Sequence, residues 1–164
     1  MLSNTLLTAL NDQIKHELYS AYFYLSMSAY CDAHHMPGAA SWLKVQAQEE
    51  QAHALKFFAY IQERGAAVTL QAIDQPPTTF GSLLEIFEQV QKHEAFVTSL
   101  INGLYELALK ENDYPTQIML QWFISEQVEE ENTSAQIVDM LRMVGPQGQA
   151  LFMADAQLGR RAQG

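Results

Sequence analysis

The chain has 164 residues and carries 9 basic against 19 acidic side chains, which gives a formal net charge of −10. That balance excludes the basic surface that nucleic acid or anionic lipid requires, and no stretch reaches the ~20 apolar residues of a membrane span. One cysteine, Cys31, excludes an internal disulfide, and the N-terminus lacks a signal-peptide pattern, so we expect a cytoplasmic protein. The length suits a single domain over residues 1–164.

Apolar residues recur at intervals of three and four along the first part of the chain, which predicts two long helices. The first covers about 4–33 and the second about 39–64. Pro37 and Gly38 mark the turn between them, and Gly65 is a natural stop. A turn this short makes the two helices antiparallel.

Residues 66–81 contain two prolines and a glycine and show no clear periodicity, so they predict the longest irregular segment. Sixteen extended residues reach ~53 Å, whereas a helix of about 27 residues is ~40 Å long. The segment is therefore long enough to cross a whole bundle and to set the second and third helices parallel.

The second half of the chain predicts another antiparallel pair. Ser82 and Glu85 have the spacing of a capping box at the start of the third helix, and the turn 112–115 precedes the fourth. Gly145 ends the fourth helix, and a short fifth helix is predicted over about 148–158. The expected fold is all-α, a four-helix bundle with one long crossover and a short C-terminal fifth helix.

Six polar side chains interrupt the apolar seams near the midpoints of these four helices. They are Glu17, Glu50, His53, Glu94, Gln127 and Glu130. Glu50 follows Glu17 by 33 positions, and His53 follows Glu50 by three. In the second half, Gln127 follows Glu94 by 33 positions, and Glu130 follows Gln127 by three. Because the midpoints of bundled helices meet in one layer, we expect all six groups to converge.

A layer of this composition indicates a buried two-metal site. One buried carboxylate costs several kcal/mol, and four together would repel one another and take up protons. Two divalent cations would balance four negative charges, and carboxylate with imidazole suits iron, manganese or zinc. A single seam glutamate is more often a partly solvated residue; the doubled pattern at one spacing favours the metal site.

Three stretches resemble motifs of the non-haem bacterial-type ferritins, and the likeness extends over essentially the whole chain. Residues 48–53 are similar to the second-helix motif of that family, and residues 113–116 and 120–127 to the start of its fourth helix. Ferritin-like di-iron bundles are the established case of inward-facing Glu and Glu-x-x-His ligands.

The resemblance implies an iron-storage protein and a ferroxidase. It would oxidise Fe²⁺ with O₂ or H₂O₂ and store ferric oxyhydroxide inside a homo-oligomeric shell of 24 subunits. Charged residues make up 17% of the chain, below the ~25% typical of soluble domains, which also suggests surface buried between subunits.

The resemblance also implies roles for individual residues. The ligands of a first iron would be Glu17, Glu50 and His53, and those of a second iron Glu50, Glu94 and Glu130. Glu50 would thus bridge the pair, and Gln127 would hydrogen-bond near the oxidant or its product. Tyr24 matches a family tyrosine beside the centre, although from the residues alone it could equally be an ordinary core tyrosine.

Glu49, Glu126 and Glu129 neighbour the seam but point to one side of it. From the sequence alone, such a run is more often a solvated acidic face. Together with Glu130, however, they resemble the third iron site of the family, on the inner surface of its shell.

Two departures from related families bear on the cofactor. Gln127 and Glu130 stand where a symmetric carboxylate centre has a second bridging glutamate and a second histidine. Ala52 stands where haem-containing bacterioferritins place a ligating methionine, so no haem is expected.

His16 and His93 each precede a predicted ligand and should point away from the seam.

Two other interpretations stay open at this point. The first is another carboxylate-bridged di-metal enzyme, such as a peroxidase or oxygenase of the same superfamily, which would need an organic substrate pocket. The second is a metal-free helical interaction protein, which would leave four seam carboxylates unexplained.

Overall fold

The computed structural model describes residues 1–163. Its elements are α1 (Asn4–Ala33), α2 (Pro37–Glu63), α3 (Leu83–Lys110), α4 (Tyr114–Val144), α5 (Gln149–Leu158) and a terminal 3₁₀ turn (Gly159–Gln163). The predicted four-helix bundle with a short fifth helix is confirmed. Helix α2 begins earlier than expected because Pro37, with its fixed φ and missing N–H, occupies the first helical turn.

Side chains cap three of the long helices. Ser3 accepts a hydrogen bond from the backbone N–H of Leu6 at the start of α1, and Asp113 accepts one from Thr116 at the start of α4. Ser82 opens α3 with both bonds of a capping box. The capping box predicted at Ser82 is therefore present, and in all three helices the cap pairs with a free N–H group of the first turn.

The linker between α2 and α3 runs the length of the bundle beside α1. At its beginning, the Thr69 backbone N–H donates to Asn11 Oδ1 at 2.8 Å. Towards its end, Ser26 Oγ donates to the Pro77 carbonyl at 2.6 Å. Because the linker starts near one end of α1 and finishes near the other, α2 and α3 run parallel, as the crossover prediction required.

The apolar core consists of two clusters at opposite ends of the bundle. One includes Met27, Leu43 and Phe87, and the other includes Leu10, Phe57 and Phe123. Between these clusters, along every long helix, lies the stretch that carries the polar seam residues. Packing within the two apolar clusters thus sets the spacing of the four helices. The polar residues of the middle layer do not have to set it.

The C-terminal segment packs back onto the bundle. Helix α5 and the terminal turn both contact α2. No helix within residues 1–163 is long and apolar enough to cross a membrane.

Candidate metal centre

The six predicted seam residues lie together in the middle of the bundle. Five of them are buried, and Glu130 is half-buried. The carboxylates of Glu17, Glu50 and Glu94 belong to residues only 1%, 2% and 1% exposed. Each comes from a different helix, so the layer depends on the whole bundle.

Glu17, Glu50 and His53 form the tightest group. Their potential ligand atoms all lie within 4.8 Å of one another. His53 Nδ1 is 3.3 Å from Glu50 Oε2 and 4.0 Å from Glu17 Oε2. Among residues 1–163, Glu17 Oε2 is a fully buried oxygen with no hydrogen-bond partner. A buried carboxylate oxygen aimed at an imidazole and a second carboxylate is what a divalent cation requires.

Glu94 is not part of this tight group and is held by two neighbours. The Tyr24 hydroxyl donates a hydrogen bond to Glu94 Oε1. Gln127 Nε2 lies 3.3 Å from Glu94 Oε2, and it also faces the Glu94 backbone carbonyl and Thr98 Oγ1, each at 3.2 Å. Tyr24 is therefore a direct neighbour of a predicted ligand as well as a fully buried member of the apolar core.

Two buried glutamines complete the layer, and sequence reasoning gave them no role. Gln13 Nε2 donates to Glu17 Oε1 at 2.8 Å. Gln46 Nε2 faces Glu50 Oε1 at 3.1 Å and Glu130 Oε2 at 2.9 Å. Both lie one helical turn before a seam glutamate, a spacing that could have revealed them.

Burial and mutual repulsion shift the acid–base behaviour of this layer. Burial, followed by the charge of Glu50, raises the pKa of Glu17 and of Glu94 well above the usual range. The same two causes raise the pKa of Glu130 to about 7. Burial alone would lower the pKa of His53, but the hydrogen bond to Glu50 and the charges of Glu50, Glu130 and Glu126 together raise it above its ordinary value. Without a metal, the layer therefore tends to hold protons.

The residues of the predicted third site line one groove between α2 and α4, here called the acidic groove. Its lining residues are Glu49, Ala52, His53, Trp122, Glu126, Glu129, Glu130, Thr133 and Arg161. The groove encloses about 330 Å³, ample for a cation with water molecules. It shares His53 and Glu130 with the central layer, so the two regions are contiguous.

His93, one of the two histidines that precede a predicted ligand, packs against side chains of α1. His93 does not point into solvent; it packs against Phe23 at 4.9 Å and Tyr24 at 5.6 Å between ring centres, and its Nε2 lies 2.8 Å from Ser20 Oγ. Burial lowers the pKa of His93 to about 4. The imidazole is thus a neutral packing partner of Tyr24 between α1 and α3.

This architecture can be compared with known proteins. A family model described as the ferritin-like domain matches residues 7–144. The chain belongs to the ferritin-like family.

Relatives of this ferritin-like chain cover nearly its whole length. The bacterial non-heme ferritin of Campylobacter jejuni is 43% identical over 155 residues, which is 94% of this chain and 93% of that protein. The bacterial non-heme ferritin of Staphylococcus aureus is 40% identical over 161 residues, or 98% and 97%. An open pore ferritin from the hyperthermophilic archaeon Archaeoglobus fulgidus has a TM-score of 0.96 and 44% identity, covering 97% of this chain and 98% of that chain.

The predicted resemblance to non-haem bacterial-type ferritins is therefore confirmed over the length of the chain. Ferritin-like membership supports a role in iron storage. It also agrees with the chemistry of the central layer, in which buried carboxylates and one imidazole offer hard-cation ligands.

Proposed function

We propose that this chain is the subunit of an iron-storage ferritin and acts as a ferroxidase. It would oxidise Fe²⁺ to Fe³⁺ with O₂ or H₂O₂ at a two-iron centre within one subunit and store ferric mineral inside a shell of 24 copies. The observation that carries this proposal is the buried group Glu17, Glu50 and His53, in which Glu17 Oε2 has no hydrogen-bond partner among residues 1–163.

Iron enters this proposal as the substrate, which supplies the electrons. Glu17, Glu50 and His53 would bind one Fe²⁺, and Glu94 with Glu130 would bind the other. Glu50 lies within reach of both sides because it contacts His53 directly and meets Glu130 through Gln46. That position supports a bridging role for Glu50.

The surrounding residues of the layer would orient the ligands. Gln13 holds one oxygen of Glu17, which leaves the other oxygen directed at His53. Tyr24 and Gln127 hold the two oxygens of Glu94. Fixed carboxylates are pre-arranged for the metal, so little reorganisation is needed when it binds.

Binding of Fe²⁺ would displace protons from the layer. Because the pKa values of Glu17, Glu94 and Glu130 are raised, these groups carry protons that a cation must replace. Four carboxylates neutralise two divalent ions, which removes the repulsion that raised the pKa values. Metal uptake should therefore release protons and stabilise the bundle.

The acidic groove would serve as a third iron site. Glu49, Glu126, Glu129 and Glu130 line it, and its shared wall with the central layer offers a route for iron between the two. Such a site would accept iron leaving the pair and pass it towards the mineral. We place this activity in the cytoplasm, where the single thiol of Cys31 would remain reduced.

One experiment separates this proposal from its nearest rival. Fe²⁺ is added aerobically to metal-free protein, ferric absorbance is followed, and the product is sized. Rapid oxidation with far more than three soluble irons per chain, travelling with a large particle, is the expected result. Oxidation that stops at two or three irons on a small oligomer would instead identify a di-iron enzyme acting on another substrate.

A further inference from the structure

A cationic side chain from the C-terminal end of the chain lies beside the acidic groove. Arg161, on the terminal 3₁₀ turn, forms an ion pair with Glu49 and donates a 2.8 Å hydrogen bond to Gln46 Oε1. Its guanidinium carbon lies 4.4 Å from the centre of the Trp42 ring. Three contacts of different kinds therefore hold a positive charge beside the carboxylates of the groove.

The fold holds Arg161 there through an anchor on α5. Asp155 accepts hydrogen bonds from the backbone N–H groups of Gly38 at 3.0 Å and Ala39 at 2.8 Å, in the first turn of α2. A Cβ at Gly38 would lie 1.7 Å from the Asp155 carbonyl oxygen, so the close approach requires glycine. From this anchor the terminal turn packs along α2 and carries Arg161 to the level of Glu49.

Gln46 connects Arg161 with the central layer. Its Oε1 accepts the arginine hydrogen bond, while its Nε2 donates towards Glu50 and Glu130. Arginine can only donate, so it fixes which end of the buried amide faces the carboxylates. Arg161 is thus linked to both the acidic groove and the metal layer by direct contacts.

We propose that Arg161 is a built-in counter-cation of the third iron site, seated against Glu49 in the iron-free protein and displaced from it when a divalent cation binds in the acidic groove. This inference rests on the proposed function, because it takes the groove to be an iron site. Its consequence is a third site that binds metal more weakly than its carboxylates alone would allow.

The ion pair is weak enough to be displaced. The Arg161 and Glu49 side chains are 26% and 43% exposed, and ion pairs this open to solvent change an equilibrium by about fivefold at most. A divalent cation shared among several carboxylates has twice the charge of the guanidinium and no side-chain entropy to lose. Arg161 therefore tunes the affinity of the groove instead of closing it.

The test is a calorimetric titration of assembled, metal-free protein with Zn²⁺, a divalent probe that undergoes no oxidation. Wild type is compared with Arg161→Gln and with Arg160→Gln. The matched control removes the same charge from the neighbouring, exposed residue. We expect three classes of site, with the weakest tightened about fivefold in Arg161→Gln and unchanged in Arg160→Gln.

The other outcomes overturn the inference in distinguishable ways. Three classes with equal affinities in all proteins would remove Arg161 from the third site but leave the proposed site standing. Only two classes in wild type would show that the groove is no iron site, and both proposals for it would fail. Tightening in both variants alike would show a general charge effect and would also refute the specific role of Arg161.

A second measurement follows the displacement itself. Trp42 lies under the guanidinium, and its emission is obtained by subtracting that of a Trp42→Phe variant, in which Trp122 and the lining of the acidic groove are unchanged. Zn²⁺ added beyond two equivalents per subunit should change the Trp42 emission, and this change should vanish when Arg161→Gln is added. An emission that is unchanged while the third cation binds would show that Arg161 stays in place and would overturn the proposal.

Discussion

Glu50 and His53 are neighbours on one turn of α2, and the proposed chemistry depends on both. We expect Glu50→Ala and His53→Ala each to slow the fast phase of Fe²⁺ oxidation by at least about 100-fold, since even indirect supports of metal ligands cost 10–100-fold. Stopped-flow absorbance on assembled protein measures this rate. Gln51→Ala is the control, because that exposed side chain lies between the two ligands. Rapid oxidation in both ligand variants would refute the site.

Glu130 gives the metal-free protein a pH dependence whose direction can be worked out. Its pKa rises from 4.5 to about 7 in the folded state, so the folded chain binds this proton more tightly than the unfolded chain. Stability contributed by the protonated form is present at low pH and lost as pH rises through about 7. Glu130→Gln should therefore match wild type near pH 4.5 and exceed it by up to about 3 kcal/mol above pH 7.

Denaturant unfolding of chelated protein at several pH values measures this difference. His16 and His93 titrate in both proteins, so their contributions largely cancel in the comparison. The pKa values of His53 and Glu94 respond to the charge of Glu130, so these two groups contribute to the difference. A constant difference across the range would mean that Glu130 is not protonated in the folded, metal-free chain.

At the residue level, the sequence predicted the carboxylates and the histidine of the layer because a charge on an apolar seam has few explanations. It did not predict Gln13 or Gln46, since a seam glutamine carries no charge and is compatible with ordinary packing. Arg161 could not be predicted at all. Its position depends on the contact between Asp155 and the start of α2, which joins parts of the chain over a hundred residues apart.

At the scale of elements, the junction between α2 and α4 combines a cap with an ion pair. Asp113 caps α4 and forms a bidentate pair with Arg64, with N–O distances of 2.8 Å on both branches. The hydrogen bond from Arg64 holds the pKa of Asp113 well below its usual range. We expect Asp113→Ala to destabilise the subunit by about 2 kcal/mol, from the lost cap and the unpaired, partly buried guanidinium.

The same depressed pKa fixes how this loss depends on pH. Stability from the ionised Asp113 is present above its unfolded pKa of ~3.9 and is lost as pH falls through the lower folded value. The difference between wild type and Asp113→Asn should accordingly shrink below about pH 4. Asp139→Ala, at an exposed aspartate on the same helix, is the control and should change stability by less than about 0.5 kcal/mol.

Helix boundaries and topology were largely readable from the sequence. Capping residues and prolines act within one turn of the helix they start, so Ser82 and Asp113 mark their helices locally. The crossover was predicted from the length of the linker alone. The contacts of the linker with Asn11 and Ser26 agree with that prediction. His93 was expected only to point away from the seam. Its packing against Phe23 and Tyr24 depends on contacts between α1 and α3 that could not be read from the sequence.

At the scale of the whole molecule, one surface groove exposes a group of large apolar side chains. A groove between α1, α2 and the linker is lined in part by Tyr22, Leu25 and Ile73, which are 51%, 45% and 37% exposed. Large exposed apolar side chains grouped in this way mark protein interfaces. Within the proposed shell, we assign this face to contact with a second copy of the chain.

Leu25→Arg tests the assignment of this face. In a two-fold contact the substitution would place two unpaired charges in one interface, each costing several kcal/mol to bury. We expect species much smaller than the wild-type particle by native mass spectrometry and sedimentation, with loss of mineral storage but continued oxidation of the first iron pair within each subunit. Asn102→Arg, which adds the same charge at an exposed position on α3 outside the groove, should assemble normally. A Leu25→Arg protein of wild-type size would show that this face is not an assembly contact.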